Sequence, residues 1–197
     1  MRQCSRTLLF VAAVLLGACF TMAPYDVYMP QGDVELVDAS CQSGPPVIRR
    51  IALPNQVELL VNAFPSDVYP TTYLQIALEM RLRVPAGTTA RFTGADVALT
   101  STAWPDARTL TIVHINDPDV RLTYAPLAEL PGTGTSSGYN RYELSFNDSG
   151  PAFATAIPAV DNFSARLPTL LIDGHEASIP EITFEKQTLR GLRLACD

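Results

Sequence analysis

The pattern of apolar and polar residues along most of the chain has a period of two. In the longest run, at residues 74–84, every second residue from Leu74 to Val84 is apolar, and most positions between are polar or charged. Successive side chains of a strand point to opposite faces, so this run predicts a long strand with one buried face. The sequence Pro85-Ala86-Gly87 then predicts a turn.

Shorter runs with the same alternation follow one another, divided by Pro, Gly, Asn and Asp. They lie at residues 89–92, 97–99, 120–124 and 141–146, and residues 110–115 form a further run, apolar or threonine apart from His114, that could be covered on both faces. Turn residues at this spacing favour a β-sandwich over other architectures. We therefore expect an all-β fold, a single antiparallel β-sandwich domain of immunoglobulin-like architecture, over residues 47–197.

Near the C-terminus, an apolar run at residues 170–172 meets Asp173-Gly174. This dipeptide is a strong hairpin signal, and we expect Ile182 and Phe184 to supply the returning strand. Two other stretches are ambiguous. Residues 57–64 fit a helical face as well as a strand, and residues 151–161 could hold a helical turn between their prolines.

Residues 1–18 have a different character. Arg2 and Arg6 precede the apolar run from Leu8 to Leu16, which is too short to cross a bilayer as a permanent helix and is typical of a signal peptide. The tetrapeptide Leu16-Gly17-Ala18-Cys19 resembles the lipobox of bacterial lipoproteins. An ordinary secretory signal with a chance cysteine is the alternative, and either signal would export the protein.

The lipobox resemblance implies cleavage before Cys19 and its acylation with chains such as palmitate, which would anchor the protein firmly to a membrane. Phe20 occupies the position where, in many Gram-negative lipoproteins, an Asp retains the protein in the inner membrane. We therefore expect a lipid anchor in the outer membrane of a Gram-negative bacterium, with the protein facing the periplasm or another part of the cell envelope.

Residues 19–46 hold few apolar pairs and four prolines. We expect this segment to be the acylated N-terminus and a tether, to which Val34–Val37 could add one edge strand. The remaining chain is long enough for one domain with a real core. Its net charge is −6 before the leader and its two arginines are removed, and this acidic balance argues against nucleic-acid partners.

Two cysteines remain after Cys4 leaves with the leader and Cys19 is assigned to lipid. In an oxidising compartment, Cys41 and Cys196 are most simply paired as a disulfide that ties the tether to the last strand. A metal or redox pair is the rival interpretation. It has little support, because the chain has no CxxC spacing and only two histidines that could assist.

The sequence contains no HExxH and no P-loop, and its one GxSxG match, at residues 134–138, lies in a Gly-, Ser- and Thr-rich segment that is typical of a flexible loop rather than a strand-to-helix elbow. His114 lies in a predicted strand, where a structural role is expected, and His175 follows a turn and should be exposed. We therefore expect neither an enzyme nor a cofactor. Asp117 and Asp119 lie in one turn and could bind calcium if a second loop completed the shell, although a turn between strands requires the same residues.

Recognition features are the remaining candidates. Trp104 is the only tryptophan and lies between predicted strands, where it could anchor a partner, stack on a sugar or close the end of the core. The leading hypothesis is a non-enzymatic envelope lipoprotein that binds a protein partner as an assembly factor, accessory subunit or inhibitor. A glycan-binding module, marked by a surface row of Trp104 and tyrosines, and a hydrolase with paired carboxylates are the alternatives.

The lipid anchor can be tested directly. Cys19→Ala should abolish both palmitate incorporation and membrane retention, because the Cys19 thiol is the lipid acceptor. Metabolic labelling followed by fractionation measures both, with Cys41→Ala as a control that should still be labelled. Undiminished labelling of Cys19→Ala would show that the anchor assignment is wrong.

Overall fold

A computed structural model describes residues 20–21, 24–32, 35–36, 47–67, 73–135, 137–148, 151–190 and 193–194. These residues form antiparallel strands and one short 3-10 turn at Pro54–Gln56. The strands are β1 (Phe20–Thr21), β2 (Pro24–Pro30), β3 (Glu35–Leu36), β4 (Val47–Ala52), β5 (Glu58–Ser66), β6 (Gln75–Pro85), β7 (Thr89–Phe92), β8 (Asp96–Thr100), β9 (Arg108–Thr111), β10 (His114–Asp117), β11 (Leu122–Tyr124), β12 (Leu130–Pro131), β13 (Tyr139–Ser145), β14 (Ala154–Pro158), β15 (Asn162–Arg166), β16 (Leu170–Ile172), β17 (His175–Ala177), β18 (Ile182–Arg190) and β19 (Arg193–Leu194).

Most of the strands belong to one curled sheet, whose order is β11-β10-β13-β6-β5-β2-β18-β15-β8-β9. Strands β4 and β14 add to β5 and β6 at its side, and a smaller sheet has the order β12-β7-β16-β17. All pairings are antiparallel among the described strands, and the arrangement is consistent with a sandwich. The predicted all-β fold class is confirmed.

The two ends of the long strand order are joined by very little chain. Strand β9 lies at one end and β10 lies next to the other, yet only Ile112 and Val113 separate them in sequence. Such a link spans roughly 10 Å, so the two ends of the sheet must lie close together. The N–H of Ile112 donates to the oxygen of Ala95, and the N–H of Val113 donates to the oxygen of Ser145.

This crossing corrects the prediction of one strand over residues 110–115. Leu110 pairs with Val97 of β8, whereas Ile115 pairs with Leu144 of β13. The run is mostly apolar because Leu110, Ile112 and Ile115 are all buried where the chain passes from one half of the sandwich to the other, whereas Thr111 is exposed. The burial of these three residues, rather than a continuous ladder, accounts for its composition.

The longest predicted strand is confirmed as β6 except at its start, where Leu74 precedes the strand and is 53% exposed rather than buried. Its inward residues Ile76, Leu78, Met80, Leu82 and Val84 are buried, and it pairs along its length with β5. Residues 57–64 therefore lie mostly in a strand rather than a helix. The helical turn considered for residues 151–161 is wrong: this stretch contains β14, which pairs with β6 at Ala77 and Gln75.

The hairpin at Asp173-Gly174 forms, but its returning strand is β17 rather than the segment with Ile182 and Phe184. Both turn residues have positive φ values, 50° and 81°, as a two-residue type I′ connection requires. The segment with Ile182 and Phe184 is β18, which pairs with β15 and β2. The sequence signal identified the turn correctly, whereas the partner of β18 is a strand distant in sequence.

Strand β2 corrects the predicted boundary between tether and domain. It lies inside the sheet between β18 and β5, with a register from Phe184–Pro30 to Arg190–Pro24 along β18. Val27 and Tyr28 are fully buried. The β structure therefore begins before residue 47, and part of the expected tether is a central strand.

The Tyr28 side chain is held at both its ring and its hydroxyl. Its hydroxyl donates to the oxygen of Val160 at 2.7 Å and accepts from the N–H of Val160 at 3.1 Å. Its ring meets Phe163 edge-on at 5.0 Å, and Phe163 stacks on Phe184 at 4.8 Å. These contacts connect β2 to β15 and β18 through the core.

Several predicted features lie on residues that the structure does not describe. Cys19, Cys41 and Cys196 lie outside the described residues, as does the leader. Within the predicted Val34–Val37 strand, Glu35–Leu36 forms β3 and pairs only with β4 among the described strands. In the part of the chain that the structure describes, no helix is long and apolar enough to cross a membrane.

Tyr28→Phe should lower the free energy of unfolding by about 1–2 kcal/mol, because it leaves both backbone groups of Val160 without their partner. Tyr73→Phe is the control: Tyr73 is 45% exposed and its hydroxyl bond to Ala156 is exposed, so the loss should be within about 0.5 kcal/mol. Urea denaturation measures both values. Equal stability of the two variants would contradict the role given to the Tyr28 hydroxyl.

The stability of Tyr28→Phe should also depend on pH differently from that of wild type. Burial raises the pKa of the Tyr28 phenol from 10.0 to about 12. The folded state therefore holds this proton more tightly than the unfolded state, and the resulting stabilisation is complete below pH 10 and declines as the pH rises towards 12. Over that range, wild type should lose more stability than Tyr28→Phe.

Candidate functional site

Trp104 lies in the connection between β8 and β9. Its backbone N–H donates to the oxygen of Ser101 at 3.2 Å, which closes a turn. Its side chain is partly buried and packs against the core. This placement fits the closing of one end of the core better than an exposed anchor for a partner.

The tyrosines that could have formed an aromatic row with Trp104 lie in different environments. Tyr73 is exposed, the guanidinium of Arg83 lies 4.9 Å from the ring centre of Tyr139, and Tyr142 is fully buried. Tyr69 lies outside the described residues. Among the residues that the structure places, no surface row of Trp104 and tyrosines is formed.

The acidic turn after β10 contains a fully buried carboxylate, Asp117. One oxygen of Asp117 accepts from the backbone N–H groups of Asp119 and Val120, at 3.0 and 3.2 Å. The other accepts from the side-chain amide of Asn140 at 3.1 Å. Asp119 instead lies 3.6 Å from the guanidinium of Arg141. Each carboxylate of the turn therefore has protein partners of its own.

Asp117 belongs to a hydrogen-bonded network that fastens neighbouring loops. The side-chain oxygen of Asn140 accepts from the N–H and the hydroxyl of Thr133, at 2.8 and 3.1 Å. The Tyr142 hydroxyl donates to the oxygen of Pro131 at 2.6 Å. Burial raises the pKa of the Tyr142 phenol well above its ordinary value. Buried polar groups that are paired in this way fix the chain in one arrangement.

The two histidines and the only lysine are separated. His114 lies 3.6 Å from Asp148, His175 is exposed in β17, and Lys186 lies 2.9 Å from Asp161. Over the described ranges, no three His, Cys, Asp or Glu side chains come together in a way that could hold a metal ion.

A charged ladder crosses the outer face of the β5-β6-β13 region. Arg81 lies between two carboxylates, 3.8 Å from Glu79 and 3.6 Å from Glu143. These three side chains line a cleft of about 270 Å³ together with Phe153. Two carboxylates therefore share a cleft, but the guanidinium between them pairs with both, as in a structural ladder rather than the acid and base of a hydrolase.

Strand β11 is a free edge. It pairs with β10 on one side, and no described strand pairs with its other side. Large apolar side chains cluster in sequence around it: Val120 is 49% exposed, Leu122 53% and Leu127 50%. An edge strand presents unpaired N–H and C=O groups, and here apolar side chains accompany them.

The opposite edge has a different character. Strand β9 also has one described neighbour, β8, but its exposed residues are Arg108, Thr109 and Thr111. The hydroxyl of Thr111 is bound to Asp96 at 2.8 Å. Charged and polar side chains are a usual protection of sheet edges against pairing with other chains. Of these two edges, only β11 carries exposed apolar side chains.

The exposure of β11 was missed by the sequence analysis. Val120, Leu122 and Tyr124 alternate with polar residues, which predicted one buried face, yet Leu122 is exposed and Val120 lies in the preceding turn. Pro118 and Pro126 on either side of this short run could have identified it as an edge strand.

Comparisons with known proteins place the chain in no family. The chain matches no protein-family model, no curated protein and no solved structure. The surfaces of this chain are therefore the basis for a functional assignment.

Asp117→Ala should lower the free energy of unfolding by about 2–3 kcal/mol, because three donors lose their acceptor. If the role of Asp117 is structural, this loss should be the same in calcium and in EDTA. Asp119→Ala is the matched control and should cost about 0.5 kcal/mol, since its ion pair is partly exposed. A stabilisation by calcium that disappears in Asp117→Ala would instead establish a calcium site.

Proposed function

We propose that the protein is an envelope lipoprotein, anchored through acylated Cys19, whose β domain binds an extended segment of a protein partner along strand β11. It acts by binding, as an assembly factor, accessory subunit or inhibitor does, and catalyses no reaction. The observation that carries the proposal is the free edge of β11 with the half-exposed side chains of Val120, Leu122 and Leu127.

Strand addition explains why these features belong together. An extended peptide that lies against β11 would pair with its free backbone groups, while its own apolar side chains cover those of β11. Burying the exposed half of one leucine contributes about 1 kcal/mol. Strand β11 is short, so contacts with Val120 and Leu127 on either side of it would add to the affinity.

The hairpin that presents β11 is stiff. Asp117 holds the turn between β10 and β11 through two backbone N–H groups, and the hydroxyl of Thr123 donates to the side-chain oxygen of Asn116 at 3.0 Å. Tyr124 meets the buried Tyr142 edge-on at 5.7 Å. A preorganised edge loses little conformational entropy when a partner binds.

The position of the proposed anchor restricts the partner to the envelope. The segment from Cys19 to Pro24, the first residue of β2, spans at most about 18 Å. Because β2 is a central strand, an acylated Cys19 would hold the domain close to the membrane. The support for the anchor is the lipobox, and the outer membrane is proposed from Phe20 next to Cys19.

A photo-crosslinking amino acid at position 122 tests this interface. In intact envelopes, the acylated protein should form a crosslink to a specific protein, and the same group at Thr109 of β9 should give no such product. The crosslinked peptide, identified by mass spectrometry, should be an extended segment of the partner. A product of two copies of this chain would show self-pairing and contradict the proposal of a different partner.

Affinity gives the matching quantitative prediction. Val120→Glu with Leu122→Glu should reduce capture of the crosslinked partner at least tenfold, because it places two charges against the apolar segment. Thr109→Glu is the matched control on the other edge and should leave capture unchanged. Both proteins should fold with stability within about 1 kcal/mol of wild type, since the altered side chains are exposed. Equal capture by both would exclude β11 as the interface.

A further inference from the structure

A groove of about 530 Å³ lies on the outer face of β8, β15 and β18. Its floor is a row of short hydroxyl side chains in register across the three strands: Thr100 pairs with Ser164, and Ser164 pairs with Thr183. The hydroxyls of Ser164 and Thr183 are 3.0 Å apart. Because the side chains of this row are short, they leave a depression in the surface, and the longer side chains of the next row form its wall.

The wall is polar as well. Asn162 lies opposite Glu185 in the neighbouring row, and Gln31 follows β2, with its backbone N–H bonded to the oxygen of Thr183. Gln31, Asn162 and Glu185 are exposed. The side-chain amides of Gln31 and Asn162 make no hydrogen bond to any other residue that the structure describes. These groups can therefore donate to and accept from a ligand.

The groove is supported from both sides. The hydroxyl of Ser101 donates to the backbone oxygen of Asn162 at 2.6 Å and accepts from the N–H of Ala103, which ties the turn after β8 to β15. Beneath the floor, Phe163 and Phe184 are buried and stacked. A rigid polar site keeps its shape without a ligand, which lowers the entropic cost of binding.

The lining selects the class of ligand. It contains hydroxyls, amides, one carboxylate and parts of Phe163 and Phe184, and none of the lining residues is a lysine, arginine or histidine. Such a surface has no positive charge to balance phosphate or another anion, and Glu185 would repel one, whereas hydroxyls and amides match the alternating donors and acceptors of a sugar. The volume lies within the range of about 300–1,000 Å³ that is typical of small-ligand sites.

We propose that this groove binds an uncharged segment of a glycan, a run of sugar units from an envelope polysaccharide. The site is distinct from the β11 edge: the groove involves β8, β15 and β18, and none of its lining residues belongs to β11 or to the segments on either side of it. The envelope origin of the polysaccharide rests on the proposed location, whereas glycan binding by the groove needs neither the lipid anchor nor the protein partner, so failure of one proposal can be told from failure of the other. Aromatic stacking is not required, since Trp104 is not among the lining residues.

An array of neutral and anionic envelope oligosaccharides, probed with the labelled full chain, tests the site. At least one neutral glycan should bind, and that glycan should then change the fluorescence of the only tryptophan, because Trp104 belongs to the turn that carries Ser101 and Thr102. Asn162→Ala and Thr100→Val should each weaken binding three- to tenfold, roughly the value of one hydrogen bond.

Thr109→Val is the matched control, since it removes an exposed threonine hydroxyl of the neighbouring strand β9 outside the groove. Its affinity for the glycan should equal that of wild type, and all three variants should melt cooperatively. The proposal is overturned if no neutral glycan binds wild type more strongly than it binds the variant that combines Asn162→Ala with Thr100→Val. Preference for anionic glycans, or for peptides over glycans, would overturn it as well.

Discussion

The burial of strand β2 between β5 and β18 is the interaction on which the rest of the fold depends. The strands from β11 to β5 and those from β18 to β9 share no other described neighbour in the long strand order. Tyr28 contacts both sides of the junction: it pairs with Ala63 of β5, its hydroxyl satisfies both backbone groups of Val160, and its ring contacts Phe163 of β15. At the opposite side, the two-residue link between β9 and β10 brings the ends of the same order together. The sandwich is therefore held at two places.

This construction separates the surfaces that are available for function. The charged ladder around Arg81 is occupied by its own ion pairs, and the acidic turn at Asp117 is occupied by its own hydrogen bonds. Among the described residues, the edge of β11 and the hydroxyl-lined groove are two surfaces that are open to a partner or ligand. The first offers backbone groups and apolar side chains, and the second offers hydroxyls and amides. Both surfaces support the proposal of a binding protein.

The local pattern of the sequence predicted much of the fold but little of its pairing. Residues 74–84 alternate so regularly that β6 could be placed, and Asp173-Gly174 identified its turn, because both signals are local. Strand β2 was assigned to the tether because it begins and ends with proline. Pro24 and Pro30 are tolerated because they are the terminal residues of the strand. Alternation alone cannot show which strand will be an edge, so the exposure of Leu122 could be recognised only from the flanking prolines or from the strand order.

Amide hydrogen exchange measures the central claim directly, because it reports the free energy needed to open each strand. If β2 is a structural strand, the amides of Val27 and Tyr28 should be protected as strongly as those of Leu59 and Leu78 in the central ladder. If β2 belongs to a tether, those two amides should exchange at the rate of an unfolded chain while Leu59 and Leu78 stay protected. That second result would contradict the account of the fold and of the short connection to the proposed anchor.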